Sequence, residues 1–416
     1  MPTQSFRDFL FPADDPRINS LKPVAAPDYL EAAKKDSFAG PMIETWAKLY
    51  PEPFVGVTND GQIRPNLFVL RDVSEAYAAP TDSMVAAARH FLDSLDPDEV
   101  QAVSYPLDSH EWRTWANPEF TQFPTGLRLE NLDIESRDAA LAVIEASMSS
   151  SGYRLARDLM LVNAFLGAEV GLPQLMNEYS YQFAIYGEPS LREPWGWNLF
   201  GHHVALNCLV VGGQMVLSPV FLGGEPSLID EGPYAGTRLF EDRIDDARSL
   251  MNVLADDVRE RAITYQQMVD PAMPPGRVHP GDERHLAGCF QDNRVIPNEG
   301  LLSSELGESG LAYLRQLIRS FVSILPEGPC ETRIDEIEAH LDETWFSWIG
   351  GWGPSDPFYF RIQSPVVILE LDHHCGVFLS NREPAQFHIH TVMRTPNGND
   401  YGRVLVEQKL GRQLTA

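Results

Sequence analysis

The sequence predicts an α+β fold, with a helical N-terminal half packed on a mainly antiparallel β-sheet that carries histidine-rich strands. Three observations predict it. Apolar residues recur at helical spacing in several separate stretches. β-Branched and aromatic runs, broken by Pro, Gly and Asn, crowd the last sixty residues. No strand–helix–strand alternation dominates, so a doubly wound sheet is disfavoured.

The elements follow in order. Residues 1–85 form a Pro-rich N-terminal arm, with Pro12, Pro16, Pro23, Pro27, Pro41, Pro51, Pro53 and Pro65, read as short helices wrapped on a body. Residues 86–416 read as a single α+β domain that carries the site. Asp96-Pro97-Asp98-Glu99 starts a helix: an Asp cap, a Pro at the first position and acids in the first turn. Helical stripes follow at Ala139 to Met148, Leu155 to Leu166, Ile244 to Leu254 and Ile334 to Leu341. Another runs from Leu311 through Leu314, Leu317 and Phe321 to Leu325, where Pro326 stops it.

Strands are expected where the period changes. Val204 to Val211, a Gly212-Gly213 turn, and Gln214 to Leu217 make a hairpin. Phe358 to Ile362, Val366 to Leu371, Phe387 to Met393 and Val404 to Val406 follow near the C-terminus, with Asn397-Gly398 as a hairpin turn. Trp345, Trp348 and Trp352 fit core better than pocket. No periodic repeat is visible, since the two copies of Gly-Glu-Pro-Ser, at 187–190 and 224–227, have unlike flanks.

Composition excludes several functions. The 416 residues hold 32 Lys and Arg against 59 Asp and Glu, a net charge of −27. So acidic a chain has no electrostatic reason to bind nucleic acid or an anionic membrane. A small-molecule substrate is the expected partner, and a homo-oligomer remains open. Cys208, Cys289, Cys330 and Cys375 form no C-x-x-C pair and suit a reducing compartment. The first residues show no secretory pattern and no stretch is long enough to span a bilayer, so a cytoplasmic location is expected. P-loop, H-E-x-x-H and G-x-S-x-G motifs are absent, as is a convincing Rossmann turn.

What remains is histidine. Six of the eleven fall in two short regions, at His202-His203 and from His373-His374 to His388-Ile389-His390. Residues two apart in a strand share a face, so His388 and His390 can aim at one point. Adjacent histidines diverge, so at most one of His202 and His203, and one of His373 and His374, should join them. Three or four imidazoles converging suit a divalent metal ion, with zinc favoured and iron or copper the alternatives. The bland alternative is a set of half-buried histidines that only form hydrogen bonds. Glu299 and Asp292 lie in a turn-rich stretch as a general base, a fourth ligand or plain surface acids. Arg394 shares the strand face of His388 and His390, as an anion clamp or an ordinary ion-pair partner.

The runs Trp195-Gly196-Trp197…Gly201-His202-His203…Asn207, Phe221-Leu222-Gly223-Gly224-Glu225-Pro226, Asp292-Asn293…Ile296-Pro297…Glu299-Gly300 and His388-Ile389-His390-Thr391…Arg394-Thr395-Pro396-Asn397-Gly398-Asn399-Asp400-Tyr401-Gly402 resemble a bacterial and fungal family. That family is catalogued as a domain of unknown function, number thirty-five hundred, and the likeness covers about residues 90 to 410. Two positions depart from its pattern: Asn298 stands where an aromatic is expected, and His374 where an amide is. The second makes His373 the better ligand. The resemblance implies one continuous domain and one signature spanning both histidine segments, and brings no activity.

The residues together point to a metal-dependent enzyme acting on a small organic molecule. Metal would sit on His202 or His203, His373, His388 and His390, with hydrolysis by an activated water favoured. An iron- or copper-dependent oxidoreductase, a metal-free lyase or isomerase with a histidine base, and a non-enzymatic binder are the alternatives.

Overall fold

The computed structural model describes residues 5–24 and 26–414, so residues 1–4 of the stretch read for a leader lie outside it. Among the described residues, twelve strands form one mixed sheet. They are β1 (Ser104–Tyr105), β2 (Leu127–Arg128), β3 (Tyr181–Tyr186), β4 (Trp195–Gly201), β5 (Val204–Val211), β6 (Gln214–Gly224), β7 (Ile263–Tyr265), β8 (Leu301–Leu302), β9 (Trp345–Gly350), β10 (Phe358–Gln363), β11 (Ile368–His373) and β12 (Ile389–Arg394). Their order is β1-β3-β4-β5-β6-β12-β11-β10-β9-β7, with β2 also on β3 and β8 also on β9. The helices are α1 (Pro16–Leu21), α2 (Ala26–Ala33), α3 (Ala39–Leu49), α4 (Thr81–Asp93), α5 (Pro97–Val103), α6 (Ile134–Ala146), α7 (Ser150–Glu169), α8 (Glu241–Val253), α9 (Asp256–Ala262), α10 (Gly307–Val322), α11 (Glu327–Glu338) and α12 (Arg403–Leu410). The fold is α+β, with helices and strands in both halves of the chain.

The same order of elements occurs twice. A long and a short helix lead into a strand parallel to the meander edge (α4, α5, β1; then α8, α9, β7). A two-residue antiparallel strand, a 3₁₀ turn and two helices follow (β2, α6, α7; then β8, α10, α11), and each half closes with a four-stranded meander (β3–β6; then β9–β12). The two meanders zip together along β6 and β12. Register fixes the correspondence: Leu127 pairs with Phe183 as Leu301 pairs with Phe346. Asn198 and Asn207 of the first half thereby match Arg361 and Glu370 of the second. Sequence similarity between the halves is too thin to reveal this, which is why no repeat is legible. One trace is Gly-Leu-x-x-x-x-Leu, at Gly126-Leu127…Leu132 and Gly300-Leu301…Leu306.

The two faces of the sheet are covered differently. Helices α4, α6, α7, α8, α10 and α11 cover the first, burying Trp197, Phe346, Trp348, Phe358 and Leu371. The arm helices α1–α3, the segments around 105–126 and 266–300, and α12 cover the second, where Trp46, Trp115, Phe221 and Val392 are buried. Irregular chain on a buried face must satisfy its own polar groups, and that requirement shapes the site.

Two expectations are corrected. Val404 to Val406 lies in α12 rather than a strand: Gly402 breaks the chain at φ 63°, helix formers follow, and Leu405 and Val406 pack into different cores. Asn397-Gly398 is a turn, with φ of 59° and 85°, but it leads into that helix and not a hairpin. The α10 stripe also stops at Val322, short of Leu325. Asp96 caps α5 with a full capping box, as its sequence predicts.

Gly126 (φ 73°) and Gly300 (φ 82°) occupy equivalent turns, and an added Cβ would lie 2.0 Å from Phe183 O and 2.1 Å from Phe346 O. Changing either to Ala is expected to cost about 1–3 kcal/mol through backbone strain, before the clash is counted. Chemical unfolding checks this. Loss at one site but not the other would break the equivalence of the halves.

Candidate functional site

Strand β12 assembles the site. Alternation puts His390, Val392 and Arg394 on the second face of the sheet. His388, just before the strand, turns to the same side, and its Nε2 lies 3.0 Å from His390 Nε2. Its Nδ1 donates to the Cys375 carbonyl at 2.6 Å, which leaves Nε2 directed into the cluster. Across the sheet, register sets Tyr359, Asp372, His390 and Gly223 in one row. Gly223 makes room, since a Cβ there would lie 2.7 Å from His390 Cδ2 and 3.3 Å from His203 Cδ2.

Each adjacent pair contributes one histidine. His203 sits in the β4–β5 turn at φ 64°, with its N–H on Asn117 O and its carbonyl accepting from Gly223 N at 2.7 Å. Its ring is 5.4 Å from that of His388 and 4.9 Å from that of His390. His202 instead turns to α7, with Nδ1 2.8 Å from Asn163 Oδ1, and stacks on His203 from outside.

The second pair reverses the expectation. His373 is the last residue of β11, and alternation sends it to the first face, where its Nδ1 donates to Phe358 O at 2.8 Å. His374 lies past the strand end, where alternation no longer applies, and its ring returns to 3.8 Å from that of His390. His374, not His373, joins the cluster. A fifth histidine, His285, arrives from the long segment between β7 and β8, with its ring 5.7 Å from that of His374. No periodicity marks it. The available signal was Asp282-Glu283-Arg284-His285, four polar residues in a row before the apolar Leu286-Ala287-Gly288-Cys289.

Three sets of donor atoms lie within 4.8 Å of one another: His203, His388 and His390; His285, His374 and His390; and Glu283, Asp372 and His374. None of the five histidines is more than 3 % exposed.

Anchored carboxylates surround them. Glu225 accepts the backbone N–H groups of Val377, Phe378 and Leu379 and stands 3.8 Å from His388 Nδ1. Glu370 accepts from Leu286 N, Ala287 N and the Tyr359 hydroxyl, 3.5 Å from His285. Asp372 takes Arg284 N at 3.0 Å and Nε at 2.6 Å, and its Oδ2 is 3.1 Å from His374 Nε2. Arg284 also reaches Glu283.

Burial and these charges set the protonation states. Burial drives His202 down to about 3 and His373 to about 4. It pushes His203 and His390 well below the ordinary imidazole value and lowers His388 as well. For His285 burial acts downward too, but Glu370, Asp372 and Asp282 outweigh it and raise the ring. Burial alone would raise Glu370, and His285 and Arg361 overcome it to hold the carboxyl at about 2. Burial raises Asp282, whose two oxygens have no hydrogen-bond partner.

The three residues expected as acid–base and anion groups lie outside the cluster. Glu299 pairs with Arg361 at 3.0 Å. Arg394 is on the expected face, yet Asp292 and Asp400 enclose it, with the carbonyls of Ala287 and Gly288. Asp292 spans Arg394 and Arg113. Both are occupied in a buried ion-pair network, which fixes the 282–292 segment against β12.

The family described as "Protein of unknown function (DUF3500)" matches residues 77–403. The chain belongs to this family. No curated protein and no solved structure matches it. The matched span contains all five clustered histidines and both structural halves, and excludes most of the N-terminal arm. Among the described residues no helix is long and apolar enough to cross a membrane.

The Asp292 network carries a prediction. Burial would raise the Asp292 carboxyl, but Arg394 and Arg113 outweigh burial and lower it. Its contribution to stability is complete above the unfolded carboxylate pKa of about 3.9 and is lost as pH falls through the lower folded value. Asp292→Asn is expected to cost about 3–5 kcal/mol at neutral pH, because the buried Arg113 loses its carboxylate and the buried Arg394 one of its two. The gap to wild type should close as pH falls below about 4. Urea unfolding across that range measures it, and a gap independent of pH would contradict an ionised Asp292.

Proposed function

We propose that the chain is a metal-dependent enzyme acting on a small organic molecule, with a divalent ion on His203, His388 and His390. One observation carries the reading: three imidazoles, one from the β4–β5 turn and two from the start of β12, bring nitrogens within 4.8 Å of one another. Burial keeps all three rings in the neutral form that ligates metal. The Cys375 carbonyl fixes the tautomer of His388 in the manner of an outer-shell partner. His285, held toward its charged form by Glu370, is the poorer donor, which favours this set over the one containing it.

Charge balance supports the same reading. Around the cluster stand Glu225, Glu283, Glu370 and Asp372, against the cations Arg284 and His285. The carboxylates outnumber these cations, and a divalent ion would offset the excess. Buried charge without compensation is expensive.

Three nitrogen ligands and an open position suit zinc and a bound water. A tetrahedral metal with bonds of about 2.0–2.1 Å sets its nitrogens about 3.4 Å apart, so His388 and His390 need part by only a few tenths of an ångström. His374, beside His390 and backed by Asp372, takes the acid–base role first expected of Glu299 or Asp292. On this reading the metal would supply an activated water, and His374 would move the proton. Iron or copper on the same ligands would turn the chemistry to oxygen.

One observation favours a non-enzymatic metal binder as a second reading: the rings are fully enclosed, and five surface clefts are lined by none of them. The test separates the two. Elemental analysis of protein purified without chelator should find one metal per chain, lost in His203→Ala, His388→Ala and His390→Ala and kept in His202→Ala and His373→Ala. Gly223→Ala, which crowds two rings without removing a donor, should weaken metal binding about 10–100-fold. Metal retained by all variants, or absent from wild type, would overturn the site. Cobalt-substituted protein whose visible spectrum shifts with azide has the open position an enzyme needs, and an unchanged spectrum favours the binder.

A further inference from the structure

On the same face, two strands from His390, sits a buried cation with no counter-charge. Arg277 is 6 % exposed, and among the described residues no carboxylate lies within 4.0 Å of it. Its Nη1 donates to Arg284 O at 2.6 Å, while Nε and Nη2 are buried without a hydrogen-bond partner. Those two atoms form one edge of the guanidinium, the edge that meets both oxygens of a carboxylate side by side. The loop's own unpartnered carboxylate, Asp282, turns to His279 instead, 3.5 Å away.

Further unused donors lie close by. Arg277 lies over the Tyr359 ring, 5.1 Å from its centroid. Two residues along β10, on the same face, Arg361 is 1 % exposed; its Nη2 is taken by Pro297 O and Glu299, and its Nη1 is buried without a partner. Ser347, paired with Arg361 across β9–β10, has a buried hydroxyl in the same condition. Fully buried arginines are rare unless paired, and a buried donor left without an acceptor destabilises the fold.

The fold itself does not require this charge. The positions matching Ser347, Arg361 and Glu370 in the first half are Ala184, Asn198 and Asn207, so an uncharged set fills the same places in the same sheet. The second half buries guanidinium groups there instead, and each keeps a donor atom with no acceptor.

We propose that Arg277, Arg361 and Ser347 form a binding site for a small-molecule carboxylate, the acidic group of the substrate. The donor geometry selects it. Arg361 already has Glu299, and the free edge of Arg277, Nε and Nη2, matches the two oxygens of a carboxylate side by side. Strands β12 and β10 are two apart, about 10 Å at the usual strand spacing. The substrate is then an organic acid whose carboxylate is held on β10 while its reacting group reaches the cluster on β12. This placement relative to the reaction rests on the metal reading; the anion site itself does not.

Equilibrium dialysis of the full-length, metal-replete protein tests it, with labelled acetate, labelled malonate and labelled inorganic phosphate in separate arms at constant ionic strength. One equivalent of saturable carboxylate binding is expected, weakened about tenfold or more in Arg277→Lys, which keeps the charge and loses the fork. Arg361→Lys, on a strand rather than the loop, is the second variant and should weaken binding likewise. Full metal content in both variants shows that the fold around the cluster survives. Saturable phosphate without carboxylate binding, no saturable binding at all, or equal binding by wild type and both variants would overturn the proposal. His388→Ala/His390→Ala protein separates the two readings: if it loses metal and keeps acetate, both sites stand. If wild type binds acetate but holds no metal, the metal reading fails alone.

Discussion

Everything at this site depends on a sheet face that is both charged and dry. Strands β10, β11 and β12 turn Arg361, Glu370, Asp372, His390 and Arg394 toward the second face, and each is at most 2 % exposed. Charges taken from water must find partners, and a lost partner there costs several kcal/mol. The partners come from the irregular segment between β7 and β8: Arg284 for Asp372, the N–H groups of Leu286 and Ala287 for Glu370, and Asp292 for Arg394. Desolvated carboxylates thus hold the loop in place, and His285 is delivered as a consequence. The same logic holds the 375–379 segment, whose N–H groups close on Glu225.

The doubled topology separates what the fold needs from what the site needs. Both halves build a meander with its helices on one face. Where the second half buries Arg361 and Glu370, the first buries Asn198 and Asn207. The charged rows are therefore not a requirement of the architecture. They are confined to the half that carries His374, His388 and His390, with His203 entering from the seam where β6 meets β12.

How much of this was legible follows from which physical rule applied where. Period-two alternation holds inside a strand, so the placing of Arg394 on the face of His390 was readable; His388, one residue before β12, happens to keep the same side. The rule fails at strand ends. His373 is the last residue in register and His374 the first outside it, so alternation could not choose between them, and the resemblance favoured the residue that faces away. His203 occupies a positive-φ turn position, which no side-chain pattern announces. His285 lies in a segment ordered by tertiary ion pairs rather than by local preference, and such order leaves no period. Asp292 and Glu299 were the right residue types for catalysis, but their partners, Arg113 and Arg394 for one and Arg361 for the other, are far away in sequence. Val404 to Val406 misled for a different reason: three β-branched or apolar residues set strand propensity against a helix held by tertiary burial.

The charge arithmetic links the two ends of the face. Around the histidines of β12 the buried carboxylates outnumber the buried cations, and near β10 the buried Arg277 has, among the described residues, no carboxylate within ion-pair distance. A face that is polarised in this way, with a demand for cations at one end and for anions at the other, is poorly explained by stability alone. Pairing Arg277 with a nearby acid, or replacing it by an apolar residue, would satisfy stability at less cost. The two demands lie along one row of strands, with Tyr359, Glu370 and Asp372 between them, and a molecule carrying an acid at one end and a metal-binding group at the other would meet both. The enclosure of the face is then part of the same design, because in a dry site each of these interactions is stronger than it would be against water.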